Sequence, residues 1–515
     1  MEENKISKGK EILAILLLTL VIGTGTLAWI VWSSKDNTKM NVTIGDLADV
    51  SFKSGNDINI SNLSPSFYYD DGALTEFSIR KKKGLTTELN TNIYLDITSI
   101  SDELKNDNFK YVLLSSSDGN TYNEVISSSF KDASVGKLSI VTDNPLTDGK
   151  TYYKFYIWID GNNENNETMQ GKSLKGTLNV DVSTPPVNAV TLVEGLDTGS
   201  AGDDGSGVYK VTHSAIPSDS SATGSEIPAS TDYRYYGASP NNYICLDMEG
   251  GSTCPDKHLY RIIGSIYEEK ENTNRIKVIK ATPLTDGTTK GFSWDYTSSG
   301  SYSNIWATIT SGNYSNSLTS GSQLMKLLNS GAWWNGTSGS YYNNNTTATS
   351  VNFTNYKLSD KAKSYITTSR YYLGGYSTSQ GVMTNQFYAY ERGTTRYDTN
   401  RPLYWDGYVG LMYPSDFGYA AGNTCVTGTD PYNYDGGCKN KDWLWMTTSS
   451  DYTNNAEWLM SPTSGLSGFA FGVYSSGFGG DYVNGANSVR PVFFLNSSAS
   501  ISEGEGTLNN PYILK

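Results

Sequence analysis

Residues 12–32, running from Ile12 to Trp32, form an uncharged apolar stretch long enough to cross a bilayer as a helix. Such a stretch predicts a membrane anchor or an export signal, and either one commits the rest of the chain to an exported compartment. The run exceeds the usual apolar core of a signal peptide and no small-x-small cleavage site follows it, so an uncleaved anchor is expected. Lys5, Lys8 and Lys10 precede it and favour a cytoplasmic N terminus, although Lys35 and Lys39 on the far side weaken that bias. Trp29 and Trp32 stand where an interfacial aromatic belt would place them. Residues 1–11 are then a cytoplasmic tail, 12–32 a single-pass anchor and the bulk of the chain extracellular. No Cys lies near the run to make a lipoprotein box, and no sortase-type motif is present.

An exported chain oxidises its thiols, so the local pairs Cys245–Cys254 and Cys425–Cys438 read as disulfides. A zinc site needs closer spacing and more ligands than His213 and His258 supply. The net charge of −13 excludes a nucleic-acid partner, whose phosphates demand a basic stripe. With 515 residues there is room for two or three domains, and abundant Gly, Ser, Asn and Tyr with little charge suits short strands joined by long ordered loops.

Residues 40–184 carry strand alternation. Ile93, Leu95 and Ile97 alternate with Tyr94, Asp96 and Thr98, and Tyr153, Phe155, Ile157 and Ile159 keep the same period of two, so a β-sandwich stalk is expected. Pro185-Pro186 ends it, because proline cannot continue a ladder. Residues 185–207, rich in Gly, Ser and Asp from Asp197 on, read as a linker or mobile loop. Residues 208–515 alternate strands, such as Tyr260–Tyr267 and Arg275–Ala281, with two short helices. One is expected over Ser322–Ser330, with Leu324, Leu327 and Leu328 on one face; the other is capped by Ser359 and reaches about Ile366. The segments 285–320 and 333–356 are nearly all Ser, Thr, Asn, Gly, Tyr and Trp, and their aromatic content argues for order.

Five blocks stand out in order: Asp232-Tyr233-Arg234-Tyr235 with Asn241-Asn242-Tyr243-Ile244; Leu259–Gly264; Val409–Ala420; Glu457–Pro462; and Val489–Asn496 with Gly504–Leu514. They resemble uncharacterised secreted modules of gut Firmicutes and Tenericutes, over roughly residues 205–515. The C-terminal part of those modules is similar to the lectin-like fold of formylglycine-generating enzymes and of retroelement-diversified receptors. Tyr156–Asp160 together with Met169–Lys172 resembles the membrane-proximal sandwich of camelysin-like and biofilm-fibre proteins. These resemblances imply a mainly β chain with a few short helices, made of an anchor, a sandwich and a C-type-lectin-like α+β head. They also imply ligand display rather than metabolism. In receptors of this fold the ligand face is the segment before the last strand, here Ser464–Asn487, with Phe469, Phe471, Tyr474, Phe478, Asp481 and Tyr482. The Trp333–Tyr342 loop, led by Trp333 and Trp334, is the second candidate face. Tyr and Trp among Ser, Gly and Asn form the contact alphabet of antibody loops.

Catalysis finds weaker footing. A serine triad needs an imidazole, and His213 and His258 read as structural surface residues without a nucleophile elbow. Formylglycine-generating enzymes use a reactive cysteine pair, but Cys425 and Cys438 lack the wider motif and only Lys439 and Lys441 nearby would lower a thiol pKa. Glu391, Asp398, Asp406, Asp416, Glu457 and Asp481 are available for glycoside cleavage, while Asp416 and Glu457 read as loop anchors. The Glu-Pro-Asn, Gln-Pro-Asp and Trp-Asn-Asp triplets of calcium-dependent lectins are absent, so no cofactor is expected beyond a structural calcium at Asp197–Asp204 or Asp430–Asp435. The expected function is a membrane-anchored bacterial surface protein whose head binds an extracellular protein or glycan. A structural role in a surface fibre or biofilm matrix ranks second, and a hydrolase or oxidase third.

Overall fold

The computed structural model describes residues 40–515, apart from 45–46, 86–87, 163–165, 201, 203–204, 218–225, 300–302, 308–320, 343–347, 378–379, 394–401, 435 and 446–449. The expected anchor with Trp29 and Trp32, and Asp203, Asp204, Asp398 and Asp435, lie outside the described residues. Among the described residues no helix is long and apolar enough to cross a membrane. The chain is mainly β with short helices and divides into two compact units between Pro185 and Pro186.

The first unit faces two antiparallel sheets. One runs in the order β1 (Met40–Ile44), β2 (Ala48–Phe52), β4 (Ala73–Lys81), β9 (Lys150–Asp160), β6 (Phe109–Ser116), β7 (Asn123–Ser129); the other is β3 (Asp57–Ser61), β10 (Ser173–Ser183), β5 (Leu89–Ile100), β8 (Gly136–Leu146). Tyr153, Phe155, Ile157 and Ile159 point into the space between them with Ile93, Leu95 and Ile97. Phe77 stacks on Tyr153 at 5.0 Å, and offset aromatic contacts of this kind add packing energy beyond the buried area. The alternation is less clean than the sequence implies. On the outer face of β9, Tyr156 and Trp158 are buried with Val112 and Leu114, and Tyr69 meets both rings edge-on at 5.2 and 6.1 Å. Tyr94, read as a polar-face residue, is buried beneath Lys137, whose Nζ sits 3.9 Å from the ring centroid.

The second unit begins earlier than the linker reading allowed. β11 (Val187–Asn188) pairs with β22 (Ser500–Glu503), and the Asn188 side chain accepts from the Val190 and Thr191 amides to cap α1 (Ala189–Gly195). Ala189 and Val193 of α1 are core residues, and the Asn423 amide donates to Gly202 O at 2.8 Å. Residues 187–195 are therefore structure, not linker. The capping Asn and the apolar pair four apart were the sequence signal, hidden beneath the Gly/Ser/Asp composition that follows.

The main sheet runs β11, β22, β23 (Tyr512–Leu514), β14 (Tyr243–Cys245), β15 (Leu259–Glu268), β16 (Thr273–Lys280), β21 (Val492–Leu495), β17 (Ile366–Thr367). β12 (Gly207–His213) pairs with β13 (Ser230–Tyr236), which joins β15. That junction needs Gly264, since a Cβ there would lie 2.3 Å from Tyr233 O. The first and last strands of the unit thus share one sheet. Both expected helices form: Ser322 Oγ accepts from the Met325 amide to cap α2 (Gln323–Asn329), and Ser359 Oγ caps α3 (Asp360–Ser364). The sequence reading missed α4 (Thr384–Glu391) and α5 (Pro414–Ala420). α5 starts with Pro at its first turn, and Asp416 accepts from the Tyr413 amide.

The aromatic residues of the polar segments form the core of this unit. Trp294 meets Trp306 at 5.2 Å and Trp458 at 6.1 Å, and Phe292, Tyr341 and Phe353 are buried beside them. A half built mostly of loops has few helical or strand faces to bury, so large rings carry the packing. Trp333 belongs to the same core, which corrects its reading as a contact residue; Trp334 is half-buried, stacked on Tyr408 at 5.1 Å.

The disulfides Cys245–Cys254 and Cys425–Cys438 both form, with sequence separations of 9 and 13. Non-reducing peptide mapping is expected to recover these two pairs, and reduction is expected to cost about 3 kcal/mol per loop through restored chain entropy. Cross-paired cysteines or free thiols would contradict the pairing.

Candidate functional site

The blocks that stood out in the sequence converge on buried charge. Arg234 donates from Nε and Nη2 to Asp232 Oδ2, at 3.0 and 2.7 Å, and from Nη1 to Asp416 Oδ1 at 2.9 Å. Lys277 Nζ donates to the other oxygen of Asp416, and the Tyr413 amide joins it at 2.9 Å. His213 Nε2 sits 2.9 Å from Asp232 Oδ2, with its ring stacked on Tyr388 at 3.6 Å. Glu391 accepts from the Ser415 amide at 2.7 Å and from its hydroxyl, and Arg392 lies 3.3 Å away. A second cluster holds Arg490 in two bonds to Glu457, at 2.8 and 2.9 Å, and in one to Leu444 O. Beside it Arg261 donates to Asn242 Oδ1 and packs on Trp443 at 4.3 Å.

Burial pushes Asp232 and Asp416 toward the protonated form, but Arg234, with His213 on Asp232 and Lys277 on Asp416, holds both carboxyls below their ordinary value. Burial lowers His213 in spite of Asp232. Glu391 goes the other way: burial pushes it up to about 7 against Arg392 and Ser415, and the Asp416 charge adds to the rise. These groups are sealed in the interior, so they anchor loops rather than meet substrate. That agrees with the reading of Asp416 and Glu457 as anchors. Both histidines are buried rather than superficial, and His258 pairs with Glu249 at 3.1 Å. Asp406 is engaged by Arg370 at 3.0 Å.

The face expected over 464–487 is split by the strands that carry it. β18 (Ala456–Pro462), β19 (Phe469–Tyr474) and β20 (Gly477–Tyr482) form a three-stranded sheet. Phe471, Val473 and Phe478 share its inner face; Phe471 stacks on Phe478 at 5.3 Å, and Phe387 of α4 meets both edge-on. Phe471 and Phe478 are thus core, correcting the expectation of exposed rings, because Phe387 covers this part of the face that Phe469 and Tyr482 share farther along the strands. Tyr474 is half-buried; burial, with the Asp481 carboxylate beside it, raises its hydroxyl pKa. Asp481 accepts from Asn487 Nδ2 at 2.8 Å and from the Tyr482 amide at 2.7 Å.

The turn at Ser475 and Ser476 is exposed but carries no aromatic ring, and the open end of the hairpin is where a ring reaches solvent. There Phe469 and Tyr482 touch at 4.1 Å between ring centres, and Tyr482 is 56% exposed. The Asp295 amide donates to Val483 O and the Val483 amide to Gly468 O, both at 2.9 Å, which draws the neighbouring Tyr296 and Leu466 to the same end. These are 47% and 51% exposed. Neither was singled out from the sequence, and Tyr296 shares the parity of the buried Trp294 two positions earlier, so alternation does not distinguish them.

The calcium candidates satisfy their own turns. Asp197 Oδ1 accepts from the Gly199 amide, and Asp430 accepts from the Asn433 amide and side chain. Among the described residues no group of three or more His, Cys, Asp or Glu is placed to hold a metal. No protein-family model matches this sequence, and no curated protein matches it significantly.

The buried charges make two predictions. Arg490→Met leaves the Glu457 carboxylate unpaired in the interior, and urea denaturation is expected to show a loss of about 3–5 kcal/mol. For Glu391, a folded pKa raised from 4.5 to about 7 means the unfolded chain releases this proton first, so the group's contribution to stability falls as pH rises through that window. Glu391→Gln removes the fall. Between pH 5 and pH 8 the stability difference should therefore move in the variant's favour by about 2–3 kcal/mol, and a pH-independent difference would contradict the assignment.

Proposed function

We propose that this chain is a single-pass bacterial cell-surface protein, in which residues 12–32 anchor a sandwich stalk and a C-type-lectin-like head that binds an extracellular protein or glycan. The observation that carries the reading is the exposure of Tyr482, Tyr296 and Leu466 on segments that backbone hydrogen bonds tie together at the open end of the hairpin. In a head where most large rings are core, exposing three apolar side chains together contributes nothing to folding. Aromatic anchors of this kind are what binding interfaces favour. The cluster also lies in the segment preceding the last strands, where the resemblance to diversified receptors puts the ligand face. Asp481 and Asn484, beside it in sequence, supply polar groups for the rim.

A second reading, a stalk that packs laterally into a surface fibre, draws on the first unit. Among the described residues Phe67 and Tyr68 are the most exposed large apolar side chains, at 68% and 69%, with Tyr69 and Leu74 nearby in sequence.

The double variant Tyr296→Ala, Tyr482→Ala separates binding from folding. Its stability should stay within about 0.5 kcal/mol of the parent for each site, while retention on a panel of immobilised glycans and matrix proteins falls at least several-fold. Equal retention at equal stability would remove the binding face from this end of the hairpin.

A further inference from the structure

A groove of about 470 Å³ crosses the face of the β12–β13–β15–β16 sheet that points away from the charge network. Its floor follows from the register. Lys210 pairs with Tyr233 and Tyr233 with Ser265, so these side chains stand in one row. Thr212 pairs with Thr231 and Tyr267 with Asn274, two residues along the strands and on the same face. The intervening Asp232 and Arg234 point inward to the buried ions, which fixes which face is open.

Glu194, from α1, closes one end. Its Oε1 accepts from Ser265 Oγ at 2.9 Å and from Asn274 Nδ2 at 3.0 Å, and Asn274 is itself tied to Thr231 O at 3.1 Å. The carboxylate and the amide are therefore held in place before any ligand arrives. Among the described residues, Glu194 Oε2 and the Tyr233 hydroxyl have no hydrogen-bond partner, and Lys210 pairs with no carboxylate. The groove thus offers two half-buried tyrosine rings, an oriented carboxylate and amide, threonine hydroxyls and one ammonium. Its volume falls in the range of small-molecule sites, but it is open rather than enclosed and mixes polar with apolar surface.

We propose that this groove binds a neutral carbohydrate chain. A sugar ring has an apolar face that packs on a tyrosine ring, and adjacent hydroxyls that pair with a planar carboxylate or amide. A chain of such rings stays partly hydrated in an open groove, where bridging water substitutes for direct bonds. A polyanion is disfavoured by Glu194 on the groove wall and by the net charge of −13. This site is separate from the Tyr482 end of the hairpin, and neither assignment depends on the other.

The test uses the full chain in lauryldimethylamine oxide, a detergent without a sugar headgroup. Malto-, cello-, manno-, xylo- and chitohexaose are titrated by calorimetry, with hexagalacturonate as the anionic comparison. At least one neutral hexasaccharide should bind with a Kd below about 1 mM. Thr212→Trp, which fills the groove from an exposed position, should weaken it at least tenfold, as should Glu194→Gln. Circular dichroism on both variants confirms that the fold is retained. Binding by none of the neutral hexasaccharides overturns the proposal. So does binding that survives Thr212→Trp, or binding of hexagalacturonate alone that is lost in Lys210→Ala.

Discussion

The second unit of this protein is organised around the Arg234 guanidinium, which joins Asp232 and Asp416 in a sealed interior. Removing such charges from water costs several kcal/mol per ion, and the cost is offset only when every lone pair and proton finds a partner. Asp416 takes Arg234, Lys277 and the Tyr413 amide at once, and Asp232 takes Arg234, His213 and the Tyr267 amide. These bonds reach across 182 residues from Arg234 to Asp416 and 139 from Lys277. A chain misregistered by one residue would strand a buried charge, so the network acts against alternative packings more than it adds to net stability. Arg490 with Glu457 repeats the device around the last strands.

Aromatic packing completes what the ions specify. Much of the head consists of loops without regular faces, and Trp294, Trp306, Trp405 and Trp458 form a linked set of edge-on contacts beneath them. The composition that looks like a binding surface is thus largely a packing solution. Tyr and Trp cover wide area at low entropic cost, which suits a loop core as well as it suits an interface.

The two proposed binding surfaces lie where these two devices stop. The hairpin buries Phe471 and Phe478 and leaves Phe469 with Tyr482 at its free end. Likewise β13 turns Asp232 and Arg234 inward and Tyr233 and Thr231 outward, so one strand serves both the charge network and the groove floor. Rigid support on the inner face holds the outer face in one position, which would lower the ordering cost of the binding proposed for it.

Local chemistry was legible in the sequence. The alternation of Ile93, Leu95 and Ile97, the caps at Ser322 and Ser359, the break at Pro185-Pro186 and the cysteine pairs all depend on neighbours a few residues away, and the structure has each of them. The motif blocks were visible too, and Asp416 and Glu457 were readable as anchors, but their partners were not, since pairing over more than a hundred residues leaves no periodic trace. Only the tertiary structure decided that Phe471, Phe478 and Trp333 are core while Tyr482 and Tyr296 are surface. It also decided that residues 187–195 belong to the second unit, and that Glu194, Lys210 and Tyr233 line one groove. Burial of an aromatic ring is set by which distant segments pack over its place in the sheet, and that is a property of the assembled fold rather than of any short segment.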